Sequence, residues 1–131
     1  MDSLPFHIEI QPGSPAYEQV VQAVHRAVAK GILVEGDAFP SVRALSKAVK
    51  INPNTAHKVV QALVTDGTLE VLSGRGTRVA PPVRRSANQK REMIRDDLDE
   101  LVIEARRIGY QLDDFQKAMR QAWQALDTKK P

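Results

Sequence analysis

Apolar residues in the first part of the chain come in short groups, each bounded by residues that start or stop an element. Phe6-His7-Ile8-Glu9-Ile10 alternates with period two and predicts an edge strand. Pro12-Gly13-Ser14 breaks it, with Ser14 placed as an N-cap and Pro15 at the first helical position. Tyr17, Val20, Val21, Val24, Ala27 and Val28 then form a helical stripe, predicting a helix over 15–29 that ends at Lys30-Gly31. Glu35-Gly36-Asp37 reads as a turn. Ser41 caps a short second helix over 42–49, whose inward positions are Ala44, Leu45, Ala48 and Val49. Only Lys50-Ile51-Asn52 separates it from a third helix over 53–66, with Asn52 as cap, Pro53 at its first position and Gly67 past its end. Two β-like runs, 68–72 and 77–79, flank Ser73-Gly74-Arg75-Gly76 and predict a hairpin with a glycine-rich tip.

The rhythm changes after Pro81-Pro82, which neither a strand ladder nor a helix interior accommodates. Ile94, Leu98, Leu101, Ala105 and Ile108 follow at spacings of 4, 3, 4 and 3, a seam that Val102 widens. Beyond Gly109, Leu112, Phe115, Met119, Ala122 and Leu126 repeat at 3, 4, 3 and 4, with Trp123 beside them. The short Gly109-Tyr110-Gln111 connection predicts an antiparallel helical hairpin. The expected division is a DNA-binding domain over 1–80, a linker over 81–87 and a helical dimerisation domain over 88–131.

Composition narrows the chemistry. The 131 residues contain no cysteine, which excludes disulfides and thiolate metal sites. No apolar run approaches the roughly 18 residues of a membrane span. Residues 1–10 lack the basic and apolar regions of a signal peptide, so a cytoplasmic location without membrane association is expected. His7, His25 and His57 fall in separate elements at no metal-ligand spacing, and no catalytic motif is present. No enzyme activity, metal or cofactor is expected. The acidic residues Asp96, Asp97, Asp99, Glu100 and Glu104 read as a solvated helix face. The net charge of +3 does not by itself identify a partner.

Three helices followed by a hairpin, with a tight turn between the second and third, is the layout of a winged helix-turn-helix. At about 100° per residue, Ala56, Val59, Val60 and Leu63 share one side of the third helix. Asn54, His57, Lys58, Gln61 and Thr65 share the other, which carries donors and acceptors and no acid. Such a face reads base edges when a helix enters a major groove. Arg43, at the start of the second helix, is placed for a phosphate or a guanine. Ser41, Thr55 and the nearby helix-end amides suit phosphates. Arg75, between Gly74 and Gly76, is free to enter a minor groove. Each has an ordinary alternative: Arg43 as a surface ion-pair partner, His57 as a solvated histidine and Arg75 as a solubilising loop residue. The basic residues Arg84, Arg85, Lys90 and Arg91 either add salt-sensitive affinity for DNA or form a solvated charge run.

The runs Pro15-Ala16-Tyr17, Gly31-Ile32-Leu33, Gly36-Asp37, Phe39-Pro40-Ser41-Val42-Arg43-Ala44-Leu45 and Gly74-Arg75-Gly76-Thr77-Arg78-Val79 resemble the GntR family of bacterial transcription regulators. Asn52-Pro53-Asn54-Thr55 and the short tail are similar to its YtrA-type branch. The resemblance covers about residues 13–80. It implies DNA contacts from Arg43, from Asn54 and Thr55 at the start of the third helix, and from the wing Gly74-Arg75-Gly76. Ala56 departs from it by replacing a larger aliphatic residue, and Arg78 by standing where an aromatic is common.

The expected fold is mostly α: a winged helix-turn-helix of three helices plus a β-hairpin wing, followed by a two-helix antiparallel hairpin. The expected function is a sequence-specific regulator, a homodimeric repressor on a two-fold symmetric operator in double-stranded DNA. Ile94, Leu98, Leu101, Val102, Ala105, Ile108, Leu112, Phe115, Met119 and Trp123 are the expected dimer contacts. The alternative is that the tail folds back on its own winged domain. Two helices offer little volume for a pocket; the place left for a small-molecule effector is the dimer interface near Tyr110, Phe115 and Trp123. The rival readings are a protein-binding module, against which the acid-free face argues, and a small hydrolase, against which the missing catalytic groups argue.

Overall fold

The computed structural model describes residues 4–127; the outermost residues of the expected first and last units, 1–3 and 128–131, lie outside this range. Eight elements follow in order: α1 (Ala16–Ala29), β1 (Ala38–Phe39), α2 (Val42–Val49), α3 (Pro53–Thr65), β2 (Leu69–Leu72), β3 (Gly76–Val79), α4 (Ala87–Arg107) and α5 (Leu112–Ala125). The described residues divide into two compact units, one ending at Pro82 and one running from Val83 to Asp127.

In the first unit the helical stripes converge. Val20, Val24 and Ala27 of α1, Leu45 of α2, and Ala56, Val59 and Leu63 of α3 are buried together with Leu33, Leu69 and Val79. The sheet is three-stranded and antiparallel in the order β1-β3-β2. Its register pairs Leu69 with Val79, Glu70 with Arg78 and Val71 with Thr77, while Ala38 meets Arg78 from the other side. Leu69 and Val79, opposite each other, face the core; a slip of one residue would expose both.

Two local expectations change. Residues 6–10 form no strand. The free side of β3 is taken by β1, a pair of residues too short to leave a periodic signal. The N-terminal segment instead sends Phe6 into the core, where its ring stacks on Phe39 at 5.8 Å. Ser14 is not the cap of α1; Pro15 holds that position without a side-chain cap bond. Gln19 ties down the entry from inside the helix. Its amide donates to the Gln11 and Ser14 carbonyls, and its oxygen accepts from the Gln11 N–H at 2.8 Å.

In the second unit, Ser86 and Gln89 form a reciprocal capping box at the start of α4. The helix ends through Gly109, whose φ of 88° is left-handed. The Asp114 carboxylate accepts from the Gln111 N–H at 3.0 Å to start α5. The connection is as short as expected, but α4 and α5 do not lie flank to flank along their lengths. They border an apolar cleft of about 250 Å³, lined by Leu101, Ala105 and Ile108 from one side and Phe115, Met119 and Ala122 from the other.

Candidate nucleic-acid interface

The segment from α2 to α3 is fixed by its own caps. Ser41 Oγ accepts from the Ala44 N–H at 3.1 Å, and Asn52 Oδ1 accepts from the Asn54 N–H at 2.8 Å, with Pro53 at the first helical position. Between the helices the chain turns at Lys50, the one non-glycine with positive φ (60°) among the described residues. The turn is held by Ser46, whose hydroxyl donates to the Ile51 carbonyl at 2.6 Å. Leu45 and Val59 bury the facing sides of the two helices, so the opposite faces are set without further freedom.

Those opposite faces carry the residues singled out from the sequence. Ser41, the cap of α2, and Arg43 in its first turn are exposed; Asn54, His57, Lys58 and Gln61 are exposed on α3. Thr55 is half-buried, so its hydroxyl is less available than its neighbours. Arg43, His57 and Lys58 form no ion pair among the described residues. In the wing, Leu72 pairs with Gly76 and the tip is Ser73-Gly74-Arg75. Gly74 and Gly76 have φ of 71° and 79°. A side chain at either would be strained although nothing crowds it. Arg75 between them is exposed and unpaired among the described residues.

Arg78 behaves differently. It stands directly across from Glu70, with its Nη2 at 3.5 Å from the carboxylate, a long contact. Its Nε is buried with no hydrogen-bond partner among the described residues. At the far end of α3, Asp66 binds His25 of α1, Oδ2 to Nε2 at 2.8 Å, and accepts from the Thr68 N–H at 2.9 Å. Partial burial alone would raise the Asp66 pKa. The Thr68 hydroxyl and amide and the adjacent His25 outweigh it and hold the carboxyl below its ordinary value.

A broader signal extends past the face of any one helix. Between residues 38 and 65 there is no acid at all. Lys47 and Lys50, outside the set expected from the sequence, are therefore further exposed cations on the same two-helix segment. The segment supplies no acid of its own to offset them, which favours a polyanion at this surface. Among the described residues no group of His, Asp and Glu could hold a metal ion, and no helix is long and apolar enough to cross a membrane.

In the second unit the expected seam is open. Ile94, Leu98, Leu101, Val102, Ile108, Leu112 and Met119 are exposed, and Trp123 is 77% exposed. Ala105 is the exception: it is buried, so it is not part of the free face. Phe115 is half-buried. Of the three residues named for an effector at a dimer interface, Tyr110 and Phe115 line the cleft and Trp123 does not.

The sequence profile described as "Bacterial regulatory proteins, gntR family" matches residues 16–79. The HTH-type transcriptional repressor YtrA of Bacillus subtilis is 35% identical over 117 residues, covering 87% of this chain and 90% of that protein. Among solved structures, a transcriptional antiterminator from Listeria monocytogenes superposes with a TM-score of 0.79 at 28% identity, covering 94% of this chain and 92% of that one. YtrA from Sulfolobus acidocaldarius, a GntR-family transcription factor, shares the fold with a TM-score of 0.55 at 24% identity, covering 93% and 99%. The chain belongs to the GntR family of bacterial regulatory proteins, as a DNA-binding transcriptional regulator and not an enzyme.

Proposed function

We propose that the protein is a homodimeric repressor that binds a two-fold symmetric operator in double-stranded DNA. Each copy inserts α3 into a major groove, so that Asn54, His57, Lys58 and Gln61 meet base edges. Ser41, Arg43 and Thr55 secure the backbone or a guanine beside it. The tip Gly74-Arg75-Gly76 lies over the adjacent minor groove. The observation that carries this reading is the rigidly capped α2–α3 segment with an exposed face free of acid. Repression is supported by the likeness to the Bacillus subtilis repressor.

Dimerisation rests on the second unit. Two amphipathic helices that leave Leu98, Leu101, Leu112 and Trp123 in solvent bury too little to be at rest alone. A second copy covering the cleft between α4 and α5 supplies the missing apolar contacts. A symmetric pair then fixes the half-site spacing. A small effector at Tyr110 and Phe115 would share that cleft with the partner chain. No cofactor is part of this reading.

Selection of bound duplexes from a random pool at near-physiological salt tests it. A two-fold symmetric consensus supports the reading; enrichment of no sequence overturns it. On the selected site, Arg43→Ala weakens binding by roughly 1–3 kcal/mol if Arg43 reads a base. An equal loss on all sequences makes it a phosphate anchor instead.

A further inference from the structure

The cations of this chain do not stop at the wing. From Val71 to Arg91 there is again no acid, and the stretch holds Arg75, Arg78, Arg84, Arg85, Lys90 and Arg91. The last four lie beyond the winged fold, in the residues leading into α4 and in its first turns. Among the described residues none of these four forms an ion pair. Arg84, Lys90 and Arg91 are exposed, and Arg85 is half-buried.

Their placement runs against what a helix start favours. The N-terminal end of a helix carries a partial positive charge and is stabilised by acids. α5 obeys this, with Asp113 and Asp114 in its first turn. α4 has none there. Its capping box uses the neutral Gln89 where a glutamate would serve the same bonds, and Lys90 and Arg91 follow at once. The acids of α4 begin only at Glu92, and that carboxylate is taken by Arg95 at 2.9 Å. Arg84 and Arg85 share an open groove of about 430 Å³ with Asn88, Gln89 and Glu92. Arg84 and Arg85 thus sit with amide donors at a helix end whose own dipole adds to their field, and Lys90 and Arg91 follow in the first turns, none of the four held in an ion pair among the described residues.

We propose that Arg84, Arg85, Lys90 and Arg91 form a second nucleic-acid contact, a phosphate-binding strip that follows the DNA backbone outside the grooves read by α3 and the wing. The proposal rests on the reading of the winged unit as a DNA binder. Chain connectivity permits it. Arg84 is five positions beyond Val79, and at about 3.5 Å per residue the strip begins within roughly 18 Å of the wing strand. Such contacts carry no base information. They add affinity on any sequence and make it salt-sensitive, because each neutralised phosphate releases counterions.

The test uses the full chain and a random-sequence duplex, with binding measured by fluorescence anisotropy between about 50 and 200 mM salt. The variant combines Arg84→Gln, Arg85→Gln, Lys90→Gln and Arg91→Gln. Its slope of log affinity against log salt should be shallower than that of the unaltered protein by roughly 2 to 4, at about 0.9 for each phosphate no longer neutralised. Arg106→Gln with Arg107→Gln removes charge from the other end of α4 and should leave the slope unchanged. The melting temperature of the fourfold variant should stay level or rise, since cations leave a helix start that disfavours them. If that variant does not fold, Arg84→Gln with Arg85→Gln, outside the helix, gives the same readout at half the size. A slope equal to that of the unaltered protein, or an equal drop in the control, overturns the strip while the DNA reading stands. An unaltered protein that binds no duplex at low salt overturns both.

Discussion

Asp66 ties the end of α3 to α1 through His25, and its lowered pKa gives the tie a pH signature. A carboxyl whose folded pKa is depressed contributes stability in full above its unfolded value, near 3.8. That contribution fades as pH falls through the lower folded value. The unaltered protein should therefore lose stability below about pH 4 more steeply than Asp66→Asn, which urea titrations at pH 3 and pH 7 would show. Equal slopes for the two proteins would mean that the tie contributes nothing. The effect is modest, because both side chains are more than a third exposed and solvent screens the pair. Arg78 presents the opposite case, a charge that its surroundings serve poorly. Its Nε is buried without a partner and its contact with Glu70 is long. Arg78→Phe, the kind of residue common at this position in the resembling family, removes the orphaned donor and should raise stability by about 1 kcal/mol. An unfolding midpoint that falls would show that the guanidinium stabilises the wing.

Phe6 tests whether the segment before α1 belongs to the core. It is buried and stacked on Phe39 although it sits in no strand or helix. Phe6→Ala should cost about 3 kcal/mol, as expected for deletion of a buried aromatic ring. A cost below about 1 kcal/mol would make the segment a loose appendage. This element also marks where the sequence could be read and where it could not. The helices were legible because their signals are local: Ser41 and Asn52 cap where the spacing places them, and the stripe Val20, Val24, Ala27 is buried as its period requires. The exposed face of α3 followed from the same period. β1 left no pattern in two residues, and its pairing with β3 comes from a part of the chain some forty residues away. The alternation from Phe6 to Ile10 was real, but alternation cannot say whether a sheet has a free edge to join. The left-handed turn at Lys50 was equally hidden, since no glycine announced it. The pairing of Glu70 with Arg78 depends on hairpin register, which the glycine positions constrain only loosely.

At the scale of the molecule, the deciding quantity is the apolar surface that the second unit leaves uncovered. The heptad spacing identified the seam, but not that α4 and α5 would stand apart around a cleft, because a seam states which face wants a partner and not which helix supplies it. Leu101 lies on that cleft and is 52% exposed in the single chain. In an isolated monomer, Leu101→Asp would be a surface change worth about 0.5 kcal/mol or less. In a dimer it would bury an unpaired carboxylate in an apolar contact, a cost of several kcal/mol. The two cases therefore separate without ambiguity from misfolding. If the seam joins two copies, the variant sediments as a monomer at micromolar concentration while its circular dichroism matches the unaltered protein. Binding to a two-half-site duplex then falls at least about 100-fold, since the second winged unit is no longer held at high effective concentration. Trp123→Ala, at the most exposed large apolar side chain of α5, should weaken the dimer in the same direction without introducing charge. A sedimentation coefficient that stays at the dimer value in both variants would move the interface away from this seam and leave the exposed leucines to be covered by something else.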